Sequence, residues 1–163
     1  MRLIIEGPDG AGKTTLVRQL ADYFGSDILV MTEKGSKKLR DYEDKANLDN
    51  VISDRSFLSE LVYTNVFERK SELSPCEYEA LLNYYRAKGW VILVLDADST
   101  CLANRLQLRG DEDEYKVRKI SDLRMFYRAM AYFYDLPVID AEHLDPMKLI
   151  NDLEAGKYGK HNF

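Results

Sequence analysis

The sequence predicts an α/β fold, a doubly wound parallel five-stranded sheet flanked by helices, and three observations predict it. Five short apolar runs are spread along the 163 residues: RLIIE (2–6), DILVMT (27–32), NVISD (50–54), WVILVLD (90–96) and PVIDA (137–141). The runs are unbroken rather than alternating, which suits strands of a parallel sheet covered on both faces. Segments with helical patterning and recognisable caps lie between them, and strand–helix alternation throughout is the pattern of an α/β sheet.

Taken in order, RLIIE gives the first strand, and the helix after it is closed by Gly25. DILVMT and NVISD give the second and third strands. Ser74, Pro75 and Glu77 form an N-cap, a proline in the first helical turn and a capping box, and Gly89 closes that helix. WVILVLD gives the fourth strand, with Trp90 expected to pack. MFYRAMAYFYD (125–135) reads as an aromatic-rich helix of the core, and PVIDA as the fifth strand. Asp145 and Pro146 open a last helix. No repeat or linker divides the chain, so residues 1–155 are expected to form one domain, and 156–163 a loosely held tail.

Composition narrows the function classes. Hydrophobic content is 45%, charged content 31% and formal net charge −5, which argues against a protein whose task is to coat nucleic acid. Cys76 and Cys101 have no metal-ligand spacing and read as small core residues in a reducing setting. MRLII is too short for a signal sequence and no apolar run approaches a membrane span, so a cytoplasmic protein without membrane contact is expected. His143 and His161 read as surface residues.

The segment Gly7-Pro8-Asp9-Gly10-Ala11-Gly12-Lys13-Thr14 fits G-x-x-x-x-G-K-[ST], after a predicted strand and before a predicted helix. In such a loop glycines let backbone N–H groups turn toward phosphate oxygens, and the following helix aims its positive end at the same place. Gly10, Ala11, Gly12, Lys13, Thr14 and Thr15 are therefore the expected nucleotide-binding residues. Lys13 supplies a full charge for the β- and γ-phosphates, and the Thr14 hydroxyl a ligand for Mg²⁺. Asp54 and Arg55 end the third run, and carboxyl ends of parallel strands face the ligand crevice. Asp54 can hold Mg²⁺ through water and Arg55 offers a planar fork to a second phosphate. A surface ion pair is the plainer alternative.

EGPDGAGKTT, with its Asp9, resembles the P-loop of thymidylate kinases. Asp54, Arg55, Ser59 and Tyr63 resemble the same family's D-R-x-x-x-S-x-x-x-Y pattern. Deoxynucleoside kinases carry Glu-Arg-Ser where this chain has Asp54-Arg55-Ser56. Arg105 and Arg109, four apart and followed by Gly110, resemble the R-x-x-x-R-G lid of both families, near residues 105–115. The resemblance implies P-loop nucleotide kinase architecture, ATP and Mg²⁺, and transfer of a γ-phosphoryl group to a (deoxy)nucleoside monophosphate. It makes Arg105 a stacking partner for adenine, Arg109 a phosphate-binding lid arginine, and Asp9, Arg55, Ser59 and Tyr63 acceptor-binding residues.

The resemblance thins after the second strand. Of the thymidylate kinase Arg-Glu-Pro motif only Glu33 is present, between Thr32 and Lys34, and the segment up to the third strand is short. Glu33 would be a general base if the chain were a deoxynucleoside kinase, or else a partner of Lys37 or Lys38. Lys37, Lys38 and Arg40 are alternative contacts for an acceptor phosphate. A modified base or a nucleic-acid end also remains open as acceptor, as do a partner-binding ATPase or switch and a homodimer. The acidic run Asp111–Glu114 reads as a solvated face.

Overall fold

The computed structural model describes residues 1–31, 38–110 and 118–159. Five strands form one sheet: β1 (Arg2–Glu6), β2 (Asp27–Val30), β3 (Val51–Asp54), β4 (Val91–Asp96) and β5 (Val138–Asp140). All pairings are parallel and the spatial order is β2-β3-β1-β4-β5. The seven α-helices among the described residues are α1 (Lys13–Phe24), α2 (Leu39–Ala46), α3 (Phe57–Val66), α4 (Pro75–Ala87), α5 (Ser99–Leu108), α6 (Ile120–Phe133) and α7 (Pro146–Glu154).

β1 is central, and Leu3, Ile4 and Ile5 are fully buried in succession, which requires cover on both faces. α1 packs on β3 and on α7, while α3 packs on α4 and α6, and α6 on β4. The edges behave differently from the centre. Ile28, Val30 and Val138 are exposed, because β2 and β5 each have a neighbour on one side only.

The predicted caps are in place. Ser74 and Glu77 form the reciprocal capping box of α4, with Pro75 in its first turn. Gly25 adopts the left-handed conformation that ends α1, and the Asp145 side chain caps α7. Trp90 is buried and its indole N–H donates to the Ala46 carbonyl at 2.9 Å.

Two expectations change. Cys76 is exposed in the first turn of α4 and Cys101 is only partly buried. In the aromatic-rich helix the 3.6-residue period turns Tyr127, Met130 and Ala131 inward, but Met125, Tyr132 and Phe133 outward. In the tail, Lys157 and Tyr158 both donate to Asp152, at 2.7 and 3.2 Å, so residues 157–158 fold back on α7.

Register places the site. Ile5 pairs with Asp54, Glu6 with Val94, and Asp96 with Asp140. The loop after β1, the Asp54–Ser56 turn and the segments after β4 and β5 thus gather at one edge of the sheet.

Candidate active site

The phosphate-binding loop runs from Gly7 to the start of α1. Gly7 has φ 139°, and a Cβ there would stand 2.4 Å from the Leu95 carbonyl oxygen, so the loop passes too close to β4 for any other residue. Gly12, at φ 88°, is the left-handed N-cap residue of α1. Lys13 is 6% exposed, and its Nζ donates to the Pro8 carbonyl at 2.8 Å. Burial, helped by the Arg55 charge, lowers the Lys13 pKa to about 7. The Thr14 hydroxyl donates to Asp54 Oδ2 at 2.5 Å, across the tips of β1 and β3. A hydroxyl and a carboxylate in contact beside a phosphate loop are hard oxygen donors that fit Mg²⁺. Among the described residues no three His, Cys, Asp or Glu side chains form a metal-binding group, so phosphate oxygens and water would supply the other ligands.

One cleft, of about 320 Å³, opens beside this loop. Gly10, Ala11 and Gly12 form one end and Thr15, Leu16 and Gln19 of α1 form a wall. Arg105 and Arg109 stand across it, and Ala141, Leu144 and Pro146 close it. Arg105 also donates to the Gly10 carbonyl at 3.2 Å, which ties the end of α5 to the loop. Of the predicted loop residues Gly10, Ala11, Gly12 and Thr15 line the cleft with both predicted arginines, whereas Lys13 turns to the Pro8 carbonyl and Thr14 to Asp54. Leu16, Gln19, Leu95, Ala141, Leu144 and Pro146 are additions to the predicted set.

On the other side of the loop stands a second cluster. Arg55 forms an ion pair with Asp9, and the Tyr63 hydroxyl donates to the same carboxylate at 2.7 Å. The Arg55 guanidinium lies over the Tyr63 ring, 5.0 Å from its centroid. Arg55 has φ 77°, a left-handed backbone that costs a non-glycine residue about 1–3 kcal/mol. Its amide donates to the Ile5 carbonyl at 3.0 Å, and its carbonyl accepts from Ser53 Oγ at 2.7 Å. Strain held this firmly at a strand tip marks a position where the side chain must point one way.

Ser59 departs from the expectation of an acceptor contact. It is buried, donates to Glu6 Oε2 at 2.5 Å and is paired with the Tyr127 hydroxyl at 2.8 Å. Glu6 is fully buried and also accepts from Ser56 at 2.6 Å. Burial pushes its carboxyl pKa up, against the two serine hydrogen bonds and the charges of Arg55 and Lys13. Glu6 was visible as the acidic last residue of the first run. Tyr127 gave no local signal, since it lies 68 residues from Ser59. Lys38 and Arg40 are exposed at the start of α2, and His143 is exposed beside Asp140. Glu33, Lys37, His161 and the acidic run lie outside the described residues, as does the segment 111–115 of the expected lid.

No protein-family model matches the chain. The SPbeta prophage-derived protein YorR of Bacillus subtilis is 34% identical over 116 residues, spanning 68% of this chain and 70% of that protein. The crystal structure of YorR in complex with phosphorylated GDP superposes with a TM-score of 0.81 at 26% identity, over 99% of this chain and 100% of the other. A probable thymidylate kinase of Methanobrevibacter smithii is 26% identical, spanning 86% of each chain. The deoxyadenosine kinase of M. mycoides with bound dCTP shares the fold, with a TM-score of 0.66 at 22% identity, over 95% of this chain and 100% of that one. Among the described residues no helix is long and apolar enough to cross a membrane.

Proposed function

The chain belongs to the family of YorR, within the thymidylate kinase-like and deoxynucleoside kinase-like group of P-loop nucleotide kinases, and on that premise we propose that it transfers the γ-phosphoryl group of ATP to a nucleoside monophosphate. The acceptor phosphate oxygen forms a bond to the γ-phosphorus, the bond to the β–γ bridging oxygen breaks, and ADP leaves with that electron pair. Such a transfer asks a protein mainly to position two charged groups and neutralise them.

The chain's residues divide the work. Backbone amides of Gly10–Thr15 and the start of α1 hold the donor phosphates. Lys13 leaves the Pro8 carbonyl for the β- and γ-oxygens, whose charge favours its protonated form. Thr14 and, through water, Asp54 would hold Mg²⁺, which would neutralise charge on the transferring group. Arg105 covers the donor base, and Arg109 approaches the γ-phosphate on closure and keeps water out. Arg55 receives the acceptor phosphate, with Asp9 toward the acceptor sugar and Tyr63 against the pair.

The observation that carries this reading is Arg55. A second cation, set in a strained backbone and paired with Asp9 of the phosphate loop, supports the reading that a second phosphate binds there. A panel of nucleosides and nucleoside monophosphates with ATP, followed by ADP release and product mass, tests it. Phosphorylation of nucleosides alone would refute the monophosphate reading in favour of a nucleoside kinase with Glu33 as base. ATP hydrolysis without any phosphorylated product would point to an ATPase or switch.

A further inference from the structure

We propose that Glu6 is the positioning residue of the acceptor half of the site: its internal carboxylate fixes the turn that carries Arg55 and so aims the guanidinium at an anionic acceptor. This rests on the reading that Arg55 faces the acceptor.

Glu6 ends β1, next to the Asp54–Ser56 turn of β3. It is fully buried, and a carboxylate is tolerated there only if its oxygens are hydrogen-bonded. Each oxygen takes one serine hydroxyl, Ser56 on Oε1 at 2.6 Å and Ser59 on Oε2 at 2.5 Å. Ser56 immediately follows Arg55 and is the N-cap of α3, accepting from the Leu58 amide at 3.2 Å. Ser59, one turn on, meets the Tyr127 hydroxyl of α6. α6 is itself tied to the end of β4, where Asp96 accepts from Arg124 at 2.9 Å and from Arg128 at 2.9 Å. One carboxylate therefore joins β1 to the start of α3 and, through Ser59, to α6.

The segment so fixed holds Arg55 in its left-handed backbone. Arg55 is pinned at its amide by Ile5, at its carbonyl by Ser53, and at the next residue by Glu6 through Ser56. A carboxylate suits this place better than an amide. It accepts on both oxygens, whereas glutamine presents an NH₂ to one serine, which loses its acceptor and must turn its proton elsewhere. The phosphate loop meets this cluster at Asp9, but it is held independently by Leu95 and α5, through the close pass of Gly7 and the Arg105–Gly10 bond. Loosening Glu6 should therefore spare the donor.

The test is Glu6→Gln in the full chain, alone and combined with Arg55→Ala. ATP affinity is measured by calorimetry without acceptor, KM and kcat with the preferred monophosphate, and Arg55 φ in a crystal structure of the single variant. ATP affinity should stay within about threefold while acceptor KM rises about tenfold, the effect of one unsatisfied buried hydrogen-bonding group. In the Arg55→Ala background Glu6→Gln should add nothing, because it acts through that side chain. Equal losses for donor and acceptor, an unchanged KM, or additive effects would overturn the proposal. If Glu6→Gln does not fold, Ser59→Ala must give the same acceptor-selective, Arg55-dependent loss, and its failure to do so overturns the proposal equally. If the wild-type chain phosphorylates no nucleotide or nucleoside, the kinase reading fails, and the crystal structure still decides the positioning. Arg55 leaving the left-handed region supports it, and an unmoved Arg55 refutes it.

Discussion

The two sides of the phosphate loop are built on different principles. The cleft beside α1 is made of backbone, glycines and the ends of two helices, with Arg105 and Arg109 across it. The cluster around Arg55 is made of side chains that satisfy one another: Arg55 with Asp9, Tyr63 with Asp9, and Ser56 and Ser59 with Glu6. A backbone cradle suits any polyphosphate, because every non-proline residue carries an N–H. A side-chain cluster is selective, and here it is preorganised by internal pairing. On the proposed reading the first side takes the donor that many kinases share, and the second distinguishes this chain's acceptor.

The comparison breaks most readily at Lys13, the lysine of the backbone cradle. Lys13→Ala should lower turnover by about 10³-fold with the fold preserved, measured as ADP release at saturating ATP beside a thermal melt. Near-native turnover would show that the cradle does not depend on its lysine. Arg109 comes next. Its place at the end of α5, across the cleft, predicts that Arg109→Ala lowers kcat about a hundredfold while both KM values change little. Raised KM with unchanged kcat would make it a ground-state contact. Arg55→Ala tests the other side, and should weaken acceptor binding by about 2 kcal/mol, roughly thirtyfold, while ATP affinity is kept. Loss of ATP affinity instead would merge the two halves into one.

The same division explains what the sequence reveals. The glycine-rich loop is legible because its residues sit at fixed offsets in one segment, so that Gly7, Gly12, Lys13 and Thr14 fall in a single contiguous pattern. Asp54 and Arg55 are legible because a strand tip faces the crevice. Ser59 is not, since the D-R-x-x-x-S spacing says nothing about which way the first turn of α3 faces, and it faces Glu6. Tyr127 is illegible for a stronger reason. Its neighbours come from α3, and only the packing of α6 on α3 brings them together. Gln19 was within reach, because it lies one helical turn beyond Thr15 and shares its cleft wall. Cys76 and the outward aromatics of α6 show the limit of residue type as a guide to burial, since position on the helix decided both.

The smallest effect sharpens the comparison without any loss of turnover. Lys13 is buried with its pKa lowered to about 7, whereas an unfolded lysine titrates near 10.5. Between those values the unfolded chain holds a proton that the folded chain lacks, so this group's contribution to stability rises as pH climbs from about 7 to 10.5 and is flat below 7. Bound phosphates favour the charged form and raise the pKa again. At pH 8 the triphosphate is itself ionised, so ATP binding should draw a proton onto Lys13, with much less uptake at pH 6. Calorimetric titrations of ATP at pH 8, in two buffers of different ionisation enthalpy, measure that uptake. It should vanish in Lys13→Ala and shrink without vanishing in Arg55→Ala, because burial displaces the proton first and the Arg55 charge adds to it. No uptake at pH 8, or uptake that survives Lys13→Ala, would mean that the lysine keeps its charge against the Pro8 carbonyl and that the cradle is already charged before the nucleotide arrives.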